Sequence, residues 1–205
     1  CVNTFIHGHF APGIEAPGIF DGIDLDWEYP VQGGPSPGRP EDRQNFTALA
    51  AEFRRQLDSV RPGLLLTAAI PAEEELFKNF DLPGLVPFLD QFGIMAYDEH
   101  WSTEPITNLH SSLFHDPKDP SAPPNDKHYG DYAVQGFIAA GVPRNKIILG
   151  VPFYGKGWAG VSDVNHGLYQ KASGAADGAG YKQLKSLAGA DRKFYPRLGT
   201  CTIWS

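Results

Sequence analysis

The sequence predicts an α/β fold built on a parallel β-sheet. Four short apolar segments alternate with amphipathic helical stretches along the chain. Three of these segments show little polar alternation, which is typical of parallel strands covered on both faces. The resulting β-α-β-α-β-α-β order requires right-handed crossover connections. The longest loops follow predicted strands, at the edge where β/α barrels build their sites.

The elements follow from composition and spacing. The predicted strands cover residues 20–28, 64–70, 92–97 and 146–153. The predicted helices cover residues 41–60, 82–90, 131–140 and 181–187. The first helix has apolar residues at three- and four-residue spacings, and Pro62 and Gly63 end it. A complete eight-stranded barrel needs about 250 residues, so we expect this chain to hold only part of one.

The connecting segments divide the chain unevenly. Segment 31–40 is rich in Gly and Pro, and segment 98–127 is long and Pro-rich. Loops longer than about 15 residues are usually functional or disordered. From Gly155 onward, Gly, Ala and Asp dominate. We therefore predict a partial β/α barrel in residues 1–154 and part of an inserted α+β subdomain in residues 155–205.

Composition narrows the classes of partner. The 205 residues carry a formal net charge of −7, which disfavours a polyanion such as nucleic acid. No apolar run reaches the roughly 18 residues of a membrane-spanning helix. Two cysteines at opposite ends, Cys1 and Cys201, leave a disulfide open. The seven histidines lie in loops or polar stretches and are predicted to be surface or structural residues.

The strongest chemical signal is a row of acids on the first predicted strand. Side chains alternate across a strand, so Asp24, Asp26 and Glu28 share one face. Like charges this close disfavour full ionisation and raise at least one pKa, as a general acid requires. Two alternatives remain, an acidic edge strand facing solvent and a site for a hard cation. The apolar side chains between the acids should face covering helices: Ile23, Leu25 and Trp27.

Residues 21–30 resemble the signature of glycoside hydrolase family 18, the chitinase family. That signature reads Asp-Gly-apolar-Asp-apolar-Asp-Trp-Glu-Tyr-Pro, and the chain matches it at every position. The resemblance implies that Glu28 is the general acid and that Asp26 is a neighbour that switches its hydrogen-bond partner. It further implies that Asp24 shares a proton with Asp26 and that Tyr29 lines the −1 sugar site.

Two later segments resemble the same family in the same order. Met95 to Asp98 looks like the family's Met-x-Tyr-Asp. The resemblance implies that Met95 lies in the substrate site and that Tyr97 and Asp98 bind the substrate's acetamido group. Trp101 matches a sugar-stacking tryptophan of related enzymes.

The second of these segments, residues 149–155, is similar to the family's Gly-x-Pro-Phe-Tyr-Gly. The similarity implies that Tyr154 contacts substrate. At position 156 the family usually has Arg and this chain has Lys156, which keeps the charge but not the two-pronged geometry.

The resemblance implies a secreted, monomeric chitinase that needs no metal or organic cofactor. Its substrate would be chitin or N-acetylglucosamine oligosaccharides, with the substrate's own acetamido group as nucleophile. It also implies a (β/α)8 TIM barrel of which strands four to seven lie here, so we expect a longer parent protein. An endo-β-N-acetylglucosaminidase and a non-catalytic chitin-binding lectin remain as alternatives.

Overall fold

A four-stranded sheet carries the acid segment. The structure, a computed structural model, describes residues 1–35 and 37–205, so Ser36 of the predicted loop 31–40 lies outside the described residues. Two short strands, β1 (His9–Ala11) and β2 (Ile14–Glu15), first form an antiparallel hairpin. The sheet then contains β3 (Gly22–Leu25), β4 (Leu65–Pro71), β5 (Gln91–Met95) and β6 (Ile147–Leu149) in chain order. Strand β3 runs parallel to β4, as predicted.

The helices follow the predicted order. They are α1 (Asp42–Val60), α2 (Glu74–Phe77), α3 (Leu82–Leu85), α4 (Gly130–Ala139) and α5 (Tyr181–Lys185). A π-helical turn (Val2–Ile6) and three 3-10 turns (Asn125–Lys127, Arg144–Lys146 and Asn165–Gly167) complete the helical segments of the described residues. The predicted helix 82–90 is a single turn, because Pro87 has no N–H to continue it.

Two predicted strands are shorter than expected. The prediction for residues 20–28 is wrong in extent, because pairing with β4 covers only Gly22–Leu25. Asp26 and Glu28 therefore lie beyond the carboxyl end of β3. Their alternation nevertheless persists, with Leu25 buried and both acids exposed. The predicted strand 146–153 ends at Leu149, ahead of Pro152, which cannot donate to a strand ladder.

The chain forms two units, and the first consists of Cys1–Ile94 and Phe137–Ile148. Its core packs α1 against the sheet, with Phe46, Leu57 and Leu66 fully buried. The ring of Phe46 lies 5.1 Å from that of Phe80 and 6.0 Å from that of Trp27. Trp27 stands between Asp26 and Glu28 in the chain, so this contact anchors the acid segment to the core.

Arg54 ties α1 to the sheet through polar contacts. Its Nη2 donates to the Leu64 carbonyl oxygen at 2.8 Å, and its Nη1 lies 3.1 Å from Asp90 Oδ2. The same carboxylate oxygen accepts the Leu66 N–H at 2.8 Å. Because the Arg54 side chain is only 16% exposed, these charge-assisted bonds are partly shielded from water.

The second unit, Met95–Gly136 and Leu149–Ser205, holds two antiparallel hairpins. Strands β7 (Tyr154–Ala159) and β8 (Gly174–Gly180) form one, and β9 (Asp191–Tyr195) and β10 (Thr200–Trp204) form the other. The long loop after β5 is tied to this region by backbone bonds, including one from Leu113 N–H to the Leu198 carbonyl at 2.7 Å. The division at residue 154/155 remains a prediction.

Within residues 1–35 and 37–205, no helix has both the length and the apolar character needed to cross a membrane. The disulfide that the sequence left open is not formed. Cys1 and Cys201 are both free and exposed.

We predict that Phe46→Ala lowers the free energy of unfolding by about 3–5 kcal/mol, because it opens a cavity beneath Trp27 and Phe80. Leu49→Ala, on the same helix but 38% exposed, should cost under about 1 kcal/mol. Denaturant unfolding of the intact protein measures both. Equal losses in the two variants would contradict this account of the core.

Candidate active site

The acid segment of the first unit presents its carboxylates to solvent. Asp24, Asp26 and Glu28 are all exposed, whereas Leu25 is buried and Trp27 is half-buried. Asp24 Oδ1 accepts a short hydrogen bond from the hydroxyl of Thr67, its register partner on β4. The predicted alternation is therefore present: the acidic side chains face solvent and the apolar side chains between them face the core.

The surroundings of these acids are open. Among the described residues β3 is the end strand of its sheet, and the three carboxylates are exposed to water. The expected acid–base tuning stays a prediction.

Tyr29 follows Glu28 and is held against it. Burial, together with the charges of Glu28 and Glu73 and a hydrogen bond with Glu28, raises the pKa of the Tyr29 phenol. The phenol is therefore protonated at neutral pH and can donate to the Glu28 carboxylate. The loop that follows turns back closely, since a Cβ on Gly34 would collide with the Glu28 carbonyl oxygen. Glycine at position 34 permits that approach.

A second polar group lies in the second unit and centres on Asp98. Its Oδ1 accepts a hydrogen bond from the Tyr154 hydroxyl at 2.7 Å and contacts Lys156 Nζ at 2.8 Å. The backbone of Asp98 has a φ of 62°, in the left-handed region that aspartate tolerates better than most residues. Burial and the bond to Asp98 raise the pKa of the Tyr154 phenol, so this hydroxyl is a donor at neutral pH.

Lys156 joins this carboxylate to an aromatic surface. Its Nζ lies 3.4 Å from the centroid of the Trp101 ring, close enough for a cation–π contact. The Lys156 side chain is only 13% exposed, whereas Trp101 is 53% exposed. A single ammonium group therefore serves two partners at once. Lysine therefore makes both contacts at position 156, where the resemblance led us to expect the two-pronged guanidinium of Arg.

The position of Trp101 depends on residues that the sequence reasoning missed. Its backbone N–H donates to Glu104 Oε1 at 2.7 Å, and Glu104 Oε2 lies 2.9 Å from Nδ1 of His100. The Glu104 carbonyl accepts the indole N–H of Trp158 at 3.1 Å. His100 is 1% exposed, so it belongs to the structural rather than the surface histidines. The four-residue spacing of His100 and Glu104 was the available signal.

Two further predicted residues border the Asp98 group. Met95 ends β5 and is partly exposed, and Tyr97 is half-buried with its ring 6.3 Å from that of Tyr154. A cavity of about 420 Å³ opens elsewhere in the same unit, beside Tyr154 and Lys156. Its lining includes Trp101, Tyr154 and Lys156 together with the backbone of β8. The arrangement offers an aromatic face, a cation and hydroxyl groups, which suits an uncharged polar ligand.

The structure thus gathers the predicted site residues into two sets. The first unit holds Asp24, Asp26, Glu28 and Tyr29, and the second holds Met95, Tyr97, Asp98, Trp101 and Tyr154. Across the part of the chain that the structure describes, no group of three His, Cys, Asp or Glu residues is arranged to hold a metal ion.

Comparison with known proteins points to one family. The family model described as "Glycosyl hydrolases family 18" matches residues 6–198. Chitinase A1 of Niallia circulans is 39% identical over 165 residues, which cover 77% of this chain and 24% of that protein. Probable chitinase 2 of Drosophila melanogaster is 36% identical, with coverages of 75% and 30%. The chain therefore spans about a quarter to just under a third of the length of these relatives.

Solved structures give the same result. The catalytic domain of psychrophilic chitinase B from Arthrobacter TAD20 superposes with a TM-score of 0.87 at 32% identity, covering 98% of this chain and 50% of that one. Chitinase ChiA74 from Bacillus thuringiensis has a TM-score of 0.80 at 34% identity, with coverages of 90% and 34%.

We predict that Lys156→Met loosens Trp101, because the ring loses a cation worth about 0.5–2 kcal/mol. Quenching of Trp101 fluorescence by acrylamide, taken as the difference from a Trp101→Phe background, should increase. Lys156→Arg retains a planar cation for the ring and should quench like the wild type. Unchanged quenching in Lys156→Met would show that the ammonium does not order the indole.

Proposed function

Because the chain belongs to family 18 of the glycosyl hydrolases, we propose that the protein hydrolyses the β-1,4 bonds between N-acetylglucosamine units of chitin. The observation that carries the proposal is the family match over residues 6–198, which includes the complete acid segment. Similar solved structures imply a TIM-barrel catalytic domain. We assign the four strands of the sheet to the fourth to seventh strands of that barrel.

Glu28 is the proton donor in this proposal. It is exposed, follows the carboxyl end of β3, and has the Tyr29 phenol as a hydrogen-bonding neighbour. Catalytic residues of β/α barrels stand at the carboxyl ends of the strands. Asp26 stands two residues earlier in the chain and is exposed like Glu28. Asp24, bonded to Thr67, completes the row as the partner that shares a proton with Asp26.

Hydrolysis proceeds with the substrate's own acetamido group as nucleophile, the course known for this family. The acetamido oxygen forms a bond to the anomeric carbon of the −1 sugar while the glycosidic C–O bond breaks. Glu28 transfers its proton to the leaving oxygen, and a cyclic oxazolinium ion forms. Glu28 carboxylate then takes a proton from water as the water oxygen attacks the anomeric carbon, which regenerates the acetamido group with retained configuration.

By the family resemblance, Tyr97 and Asp98 orient that nucleophile. Tyr97 and Asp98 hold the acetamido group, while Tyr154 and Lys156 fix the Asp98 carboxylate at 2.7 and 2.8 Å. Positioning an intramolecular nucleophile in this way removes much of the entropic barrier. Trp101 is half exposed and offers a flat apolar face against which a sugar ring packs. Tyr29 and Met95 complete the contacts to the −1 sugar.

The proposed substrate class and location of this protein are based on its similarity to the relatives. One solved relative, a chitinase of Ostrinia furnacalis, is a complex with allosamidin, and another, ChiW of Paenibacillus, is described as cell-surface-expressed. For this protein we propose chitin oligosaccharides as substrate, a secreted location and a monomeric state. The endo-β-N-acetylglucosaminidase and the lectin that the sequence left open are not favoured by the chitinase relatives.

We predict that Glu28→Gln lowers kcat on chitin oligosaccharides by about 10²–10⁴-fold, because the amide cannot donate the proton. Binding of the oligosaccharide should persist. Glu15→Gln, an exposed position on β2, serves as the matched control and should retain wild-type turnover. Turnover assays with calorimetric binding check both. Retained hydrolysis in Glu28→Gln would overturn the assignment.

We also expect the rate to be insensitive to chelators, since the substrate supplies the nucleophile and Glu28 moves the proton. Incubation with EDTA followed by dialysis should change kcat/KM by less than about twofold, within ordinary assay scatter. A large loss restored by a divalent cation would instead support the hard-cation reading of the acid row.

A further inference from the structure

We propose that His110 is a positioning residue for Asp98. While the His110 imidazole is neutral, the Asp98 carboxylate stays bonded to Tyr154 and Lys156. When the imidazole is protonated, it draws that carboxylate away from them. The inference rests on the proposed function, in which Asp98 holds the substrate's acetamido group. Neither the acid signature nor the resemblance assigns a role to this histidine, which the sequence placed among surface or structural residues.

The geometry places His110 against the Asp98 group. Its Nδ1 lies 3.8 Å from Asp98 Oδ1, and its side chain is only 13% exposed. Its ring centroid lies 5.3 Å from that of Tyr154 at an interplanar angle of 39°. The distance to Asp98 is too long for a hydrogen bond yet within reach after a small rotation.

The Nδ1 atom is a buried polar atom with an unused bonding capacity. Among residues 1–35 and 37–205 it has no hydrogen-bond partner. A buried polar atom without a partner is destabilising, so a native structure that keeps one calls for an explanation. The nearest charged acceptor is Asp98 Oδ1, which already receives the Tyr154 hydroxyl and the Lys156 ammonium.

Burial, rather than the neighbouring charges, favours the neutral form of His110 near pH 7. Burial lowers its pKa most, the Asp98 charge opposes that shift, and the Lys156 charge adds to it. The other titratable groups facing this cluster are the Tyr154 phenol, whose pKa is raised, and the Tyr97 phenol beyond it. On the remaining side, the Glu99 N–H donates to the His110 carbonyl at 3.1 Å.

Protonation changes the competition for Asp98 Oδ1. A protonated ring must donate from Nδ1, and a cation at 3.8 Å attracts the carboxylate. The carboxylate then rotates toward His110 and loosens its bonds to Tyr154 and Lys156. Because the contact of Asp98 with the acetamido group is a binding interaction, KM rises as the pH falls, and kcat changes less.

The sign of the stability effect is fixed by the direction of the pKa shift. A histidine whose folded pKa lies below its unfolded value of 6.5 favours folding fully above that value. The contribution is lost as the pH falls through the folded pKa. Binding and stability therefore weaken together in mild acid, and both changes trace to one imidazole.

The test compares His110→Asn with His115→Asn in the intact protein. Asparagine keeps a polar group near the Nδ1 position but cannot ionise in this range. His115 is an exposed histidine of the same loop and serves as the matched control. KM and kcat for chitin oligosaccharides are measured between about pH 4 and 7, where histidines titrate.

We expect KM of the wild type and of His115→Asn to rise by about tenfold as the pH falls through this range, following the titration of one group. In His110→Asn this rise should be absent, with KM nearly constant. An unchanged KM profile in His110→Asn overturns the inference while leaving chitin hydrolysis intact.

A readout independent of turnover separates the two proposals. The pKa of His110 is measured by NMR in the wild type and in Asp98→Asn, where removal of the Asp98 charge should lower it further. Such a shift supports the coupling of His110 to Asp98 even if the wild type does not hydrolyse chitin oligosaccharides, whereas absent hydrolysis by the wild type rejects the proposed function and the positioning role that rests on it. An equal His110 pKa in both proteins rejects the coupling to Asp98.

Discussion

The alternation of side chains at residues 23–28 is the constraint on which the first unit depends. Leu25 and Trp27 enter the core side, where Trp27 meets Phe46 of α1 at 6.0 Å, and this contact leaves Asp26 and Glu28 facing solvent. A shift of one residue would bury the charges and expose the indole, at a cost of several kcal/mol. The same alternation therefore decides which side chains pack in the core and which carboxylates face solvent, although pairing with β4 ends at Leu25.

In the second unit, Asp98 plays the corresponding organising role. A tyrosine hydroxyl and a lysine ammonium converge on one carboxylate oxygen, and the same ammonium lies over one face of Trp101. The buried His100 and its partner Glu104 in turn fix the backbone of Trp101. Polar contacts of this kind hold a loop in one geometry where apolar packing is sparse. The ammonium of Lys156 is a point charge, so it contacts both Asp98 and Trp101 without the planar guanidinium of Arg.

The sequence by itself determined the four strands and their order, the long helix α1 and the row of acids, because periodicity reports directly on which side chains face the core. It also identified the family through residues 21–30, as the match over residues 6–198 confirms. Strand ends were less accurate, since Pro152 and the limited span of β4 pairing decide them. The roles of individual site residues remain proposals.

Only the tertiary structure decided how distant residues meet. Lys156 and Asp98 are 58 positions apart, and nothing in their spacing indicates that Nζ and Oδ1 lie at 2.8 Å. The burial of His110 beside that pair is equally absent from the sequence, where it is one of seven histidines in polar surroundings. Side-chain periodicity is a local property, whereas desolvation and charge pairing depend on which segments the fold brings together.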